Sequence, residues 1–130
     1  MKAIEDADLI VTFNGATFDL PLIQGAAGHA VLPRRHADLW QILTNSSPDK
    51  AGWNLDAICK RTFGVGKSGH GADAPKLFQA GKWGALFTYC LNDVQLMRRL
   101  FWHMLDPGIV PMLDGTPVQP NLRRRLLSNA

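Results

Sequence analysis

The run Leu9-Ile10-Val11-Thr12-Phe13, cut off by Asn14-Gly15, constrains the fold most. Consecutive apolar, β-branched and aromatic residues fit a strand buried on both faces in a parallel sheet. Asn14-Gly15 breaks the run, because both residue types tolerate turn conformations that branched side chains resist. The chain restarts as a helix near Leu20-Pro21, predicted from about Pro21 to Ala27 and ended by Gly28. A second short strand is expected around Arg35 to Trp40. Strand, helix and strand form a β-α-β unit, for which a right-handed crossover is strongly preferred. Asp19 then falls outside the carboxyl end of the first strand, where open α/β sheets bind ligands.

A long helix is predicted from about Lys82 to Met104, with apolar residues at Trp83, Leu86, Phe87, Cys90, Leu91, Val94, Met97 and Phe101. Thr88, Asn92, Gln95 and Arg99 trace a polar stripe. Tyr89 and Asp93, four residues apart, stack on one face between that stripe and the core, a placement expected at the lip of a pocket. Between the two units, Asn45-Ser46-Ser47-Pro48-Asp49 reads as a loop after Gln41-Ile42-Leu43. A helix from Leu55 to Phe63 follows, with Leu55, Ile58, Cys59 and Phe63 at core spacing and Gly64 ending it. Residues 64–75 hold four glycines and a proline, and are expected as a mobile loop beside the pocket. Pro107, Pro111, Pro117 and Pro120 flank Asp114-Gly115, which predicts a small hairpin or irregular tail rather than another helix. The expected organisation is a domain over residues 1–106 and a Pro-rich basic tail over 107–130, packed on it or extending from it.

Asn14-x-x-x-Phe18-Asp19-x-Pro21 and Tyr89-x-x-x-Asp93 occur in order. Asn54-Leu55-Asp56-Ala57-Ile58-Cys59-Lys60 and Phe63-Gly64-Val65-Gly66-Lys67 lie between them. From about Ala7 to Phe101 the chain resembles the DEDD superfamily of 3'-to-5' exonucleases in its tyrosine-bearing version, which includes the proofreading domains of B-family DNA polymerases. The resemblance implies an α/β, ribonuclease-H-like three-layer fold, here N-terminally truncated, with a small parallel β-α-β core and a predominance of helices. It implies phosphodiester hydrolysis with two magnesium or manganese ions, in which the metals polarise the phosphate and generate a hydroxide. Carried over residue by residue, Asp19 and Asp93 would be catalytic metal ligands, and Tyr89 would orient the attacking water. Asn14 and Phe18 would shape the floor against the terminal nucleotide, and Lys67 would contact substrate. The implied partner is a DNA or RNA 3' end, preferably single-stranded.

The family's first motif, Asp-x-Glu on the opening strand, has no counterpart: Glu5 is the only glutamate and position 3 is alanine. Met1 to Asp8 is expected as the last turn of the preceding helix, so the chain is expected to begin inside the domain, with the first motif supplied by upstream sequence or a partner chain. Leu9 to Phe13 would then keep an unpaired edge, which predicts a homodimer or a partner chain at that edge. A catalytically inactive nucleic-acid- or protein-binding remnant is the alternative.

A net charge of +3 and a pI near 9.1 permit a phosphate-bearing partner without requiring one. With no cleavable signal and no apolar stretch of roughly 18 residues, the expectation is a cytoplasmic protein and no membrane contact. Cys59 and Cys90 lack a Cys-x-x-Cys spacing and are expected as buried thiols, with no zinc site. Asp19 serves equally as a helix N-cap, and Asp93 equally as a surface partner of Arg99 or Lys82. His36 and Asp38 share one strand face, an arrangement more often structural than metal-binding. Gly64-x-Gly66-Lys67 follows a helix rather than a strand and is not a phosphate loop. Lys60, Arg61, Lys67, Lys76, Lys82 and Arg123-Arg124-Arg125 would line a nucleic-acid path or stand as ordinary solvated charges.

Overall fold

A computed structural model of the chain describes residues 2–15, 19–30, 33–49, 51–65 and 73–128. Helix α1 (Lys2–Asp6) leads into strand β1 (Ile10–Thr12), helix α2 (Asp19–Ala27) and strand β2 (His36–Asp38). The two strands are parallel, with Ile10, Val11 and Thr12 opposite His36, Ala37 and Asp38, so the expected β-α-β unit is present. The burial of β1 differs from expectation. Only Thr12 is buried, while Ile10 and Val11 are half-buried, because among the described residues the sheet has two strands, so both are edge strands.

Helix α3 (Leu39–Ser46) begins directly at the end of β2, where sequence reasoning placed the tail of a strand and a loop. Its N-cap is Asp38, whose side chain accepts from the Trp40 and Gln41 amides; satisfying those orphan N–H groups turns strand into helix without a linker. Helix α4 (Leu55–Phe63) has the predicted bounds. Asn54 caps it by accepting from Ala57 N, and Gly64 closes it in the left-handed conformation at φ 74°, where a side chain would be strained. Helix α5 (Asp73–Gln79) was not expected; residues 66–72 of the anticipated mobile loop lie outside the described residues.

Helix α6 (Trp83–Leu105) is the long helix, and its buried face is only partly the predicted one: Met97 and Phe101 pack against the core as half-buried residues. Tyr89, Leu96, Leu100 and Met104 turn inward, whereas Trp83, Phe87, Leu91 and Val94 are 43–69% exposed and Cys90 is exposed. The helix carries two apolar lines, and of these the other described elements bury one. Tyr89, at 8% exposure, is therefore a buried side chain and not a lip residue.

After α6, strands β3 (Val110–Pro111) and β4 (Pro117–Val118) pair antiparallel, the anticipated hairpin. A helix that was not anticipated, α7 (Leu122–Ser128), follows. Leu122 is fully buried and Leu126 packs against the core, which gives this short helix its apolar side. The core joins Leu39 and Leu43 of α3, Ile58 and Cys59 of α4, Leu96, Leu100 and Met104 of α6, Val110 and Val118 of the hairpin, and Leu122 of α7.

Candidate functional site

The loop leaving β1 is fixed by its own residues. Asn14 adopts φ 61°, a left-handed conformation that asparagine tolerates better than most side chains. A Cβ at position 15 would stand 2.4 Å from Thr12 Cβ, so only glycine fits there. Gly15 O accepts from Leu20 N at 2.8 Å, tying the loop to the first turn of α2. Asn14 N donates to Asp38 Oδ1 at 2.8 Å, and the same oxygen accepts from Trp40 N at 3.1 Å and Gln41 N at 3.3 Å. One carboxylate thus caps α3 and pins the β1 loop beside the end of β2. Behind it, Thr12 Oγ1 and His36 Nε2 are hydrogen-bonded at 2.7 Å across the strands.

This loop opens onto a cavity of about 690 Å³. Phe13 and Asn14 form one side, Trp40 and Trp53 lie with Asn54 at the starts of α3 and α4, and Asp93, Val94 and Met97 of α6 close the other side. Asn14 and Asp93, 79 positions apart in sequence, therefore line one space. Asp93 is half-buried, with Oδ1 withdrawn from solvent. It also lies within electrostatic reach of Cys59: burial pushes the Cys59 thiol up to about 11, assisted by Asp56 and Asp93 and opposed by Arg99. That places the middle of α6 against α4.

Of the other residues singled out in the sequence, Tyr89 lies one turn before Asp93 and does not line the cavity. Asp19 starts α2, but its side chain is outside the described residues, as are Phe18 and Lys67. His36 and Asp38 are structural in the way expected of a lone pair. Of the proposed path cations, Lys60, Arg61 and Arg125 make contacts within the fold, Arg125 by donating to Pro120 O at 2.8 Å. Lys60 pairs with Asp56 at 3.1 Å. Arg61 donates to Pro111 O at 3.2 Å and lies over the Trp53 ring, and its partial burial lowers its pKa. Arg99 stacks over Phe63 at 4.3 Å from the ring centre. Sequence reasoning missed Trp40, Trp53 and the anchoring role of Asp38; an aspartate followed by Leu39, Trp40 and Leu43 at helical spacing was the available signal.

Among the described residues no three His, Cys, Asp or Glu side chains are grouped to hold a metal ion. Asp93 is the carboxylate lining the cavity, and two ions roughly 3.5–4 Å apart need more oxygen donors than one side chain offers. The described residues do not fit a two-ion centre. No helix among them is long and apolar enough to cross a membrane.

A parallel pair joined through a helix defines an α/β protein, and the cavity lies at the carboxyl end of β1, where such sheets commonly bind ligands. A family model, RNase_H_2 of the RNase H superfamily, matches residues 1–105. The chain belongs to the RNase H superfamily. No curated protein and no solved structure matches it.

Proposed function

We propose that this protein acts on the 3' end of a single-stranded polynucleotide as an exonuclease-type member of its superfamily. The observation that supports this most is the meeting of Asn14 and Asp93 in one cavity, since they come from the two motifs that carry the exonuclease resemblance. Superfamily nucleases generally use divalent metal ions, and magnesium or manganese is the proposed ion here, with Asp19 and Asp93 as its ligands from this chain. The remaining carboxylates must come from outside the described residues. Asn14 and Phe18 are assigned to the terminal nucleotide, Lys67 to substrate contact, and Tyr89, one turn from Asp93, to orienting the attacking water. Trp40, half-buried on the wall, offers an aromatic face on which a base can stack, an interaction worth about 1–3 kcal/mol.

A second reading, a binding module without turnover, is favoured by two observations. The 130 residues contain no Asp-x-Glu, and the described donors at the cavity are too few for two ions. Incubating a 5'-labelled oligonucleotide with manganese separates the readings. Progressive shortening that Asp19→Ala and Asp93→Ala each abolish supports the exonuclease. Saturable binding without shortening supports the module, and neither binding nor shortening refutes both.

A further inference from the structure

A second polar cavity, of about 730 Å³, lies between β2, α3 and α7. His36, Gln41, Asn45, Arg124 and Arg125 bring hydrogen-bond donors to its wall. Asp38 is the one carboxylate lining it among the described residues, and its Oδ1 already accepts from three backbone amides. The balance of the wall is therefore cationic. The sequence reinforces this: no acidic residue follows Asp114, while Arg123, Arg124 and Arg125 do.

The cationic helix is fastened in place by guanidinium groups. Arg35 donates to Leu126 O from the β2 side. Arg125 donates through Nε to Pro120 O at 2.8 Å and through a terminal nitrogen to Ser46 Oγ at 3.1 Å, bridging α7 to α3. With α7 fastened this way, the backbone that carries Arg124 is already ordered when an anion arrives, which lowers the conformational cost of binding. The second cavity also abuts the first, because Asn14 of the candidate site and Asp38 of this wall are joined by the 2.8 Å hydrogen bond at the strand ends.

We propose that this second cavity takes a backbone phosphate of the polynucleotide whose end occupies the candidate site, with Arg124 as its principal cation. The inference rests on the nucleic-acid reading above. A phosphodiester fits because the guanidinium groups of Arg124 and Arg125 and the side-chain amides of Gln41 and Asn45 supply donors to its anionic oxygens.

The test is fluorescence anisotropy with a labelled single strand of about 12 nucleotides, within the range single-strand binders cover, titrated over several salt concentrations. Inorganic phosphate is titrated in parallel. Arg124→Ala is expected to weaken binding roughly threefold to tenfold and to lower the slope of log affinity against log salt by about one. Asn45→Glu, at an exposed position on the same wall, is expected to weaken it through repulsion and serves as the independent variant. Wild-type affinity and slope in both variants would overturn this inference and leave the nucleic-acid reading standing. Failure of the wild type to bind any oligonucleotide would overturn both. Saturable phosphate binding lost in Arg124→Ala, with oligonucleotide binding unchanged, would assign the cavity to the free anion and overturn the backbone contact.

Discussion

Removing the Asp38 carboxylate should loosen two elements at once. Asp38 is 5% exposed, and one of its oxygens accepts from Asn14 N, Trp40 N and Gln41 N. In Asp38→Ala the α3 cap is lost, at a cost of about 1 kcal/mol. The Asn14 amide is also left without its acceptor in a part-buried place, which adds about 1–3 kcal/mol. The expected total is about 2–4 kcal/mol. Asp38→Asn keeps an acceptor oxygen and loses only the charge assistance, so it should cost about 1 kcal/mol. Urea unfolding followed by circular dichroism measures both. With a slope near 2 kcal/mol per molar for a chain of this size, the alanine midpoint should fall by about 1–2 M and the asparagine midpoint by about 0.5 M. Hydrogen exchange adds a local readout, since the Asn14 amide should exchange faster in the alanine variant. A loss under about 0.5 kcal/mol, or equal losses in the two variants, would refute the shared-acceptor account.

Four further outcomes follow from burial, titration and backbone geometry. Cys90 is exposed and Cys59 fully buried with its thiol pushed up to about 11, so at neutral pH a thiol reagent should label Cys90 alone until the protein unfolds; labelling of both in the native state would contradict this. An unfolded thiol titrates near 9 and the folded one near 11, so the unfolded state gives up its proton first. Stability should therefore fall as pH rises from 9 towards 11, and Cys59→Ala should flatten that limb of the unfolding profile. Leu100→Ala on the inward face of α6 should cost about 2–5 kcal/mol and Leu91→Ala, 43% exposed, well under 1, with urea midpoints as the check. Gly64→Ala should cost about 1–2 kcal/mol from backbone strain alone, because nothing lies within 4 Å of the added methyl at φ +74°.

What could be read from the sequence was whatever depended on local chemistry. Helix α4 was legible to the residue because Asn54 caps it and Gly64 ends it, and both signals are written in single residues. The β-α-β unit was legible for the same reason, with Asn14-Gly15 and Gly28 marking the breaks. Direction around α6 was not. Two lines of apolar residues wind along it, and only the packing of α3, α4, the hairpin and α7 decides that Leu96 and Leu100 face inward while Phe87 and Val94 do not. Helix α3 was hidden because Asp38-Leu39-Trp40 continues the strand's polar-apolar texture without a break, and its cap doubles as the anchor of another loop. Helix α7 was hidden behind four prolines, although Leu122 and Leu126 stand four apart. In the candidate site, the sequence picked out Asn14 and Asp93 by motif; Trp40 and Trp53 enter through tertiary placement, which no spacing rule encodes.

Backbone amide chemical-shift mapping with a single-stranded oligonucleotide tests the central claim most directly. Shifts should gather at Phe13 and Asn14, at Trp40, at residues 52–55 and at Asp93 to Met97, the four segments that line the 690 Å³ cavity, and Asp93→Asn should change their size. Shifts confined to other surfaces, or none at saturating oligonucleotide, would contradict it.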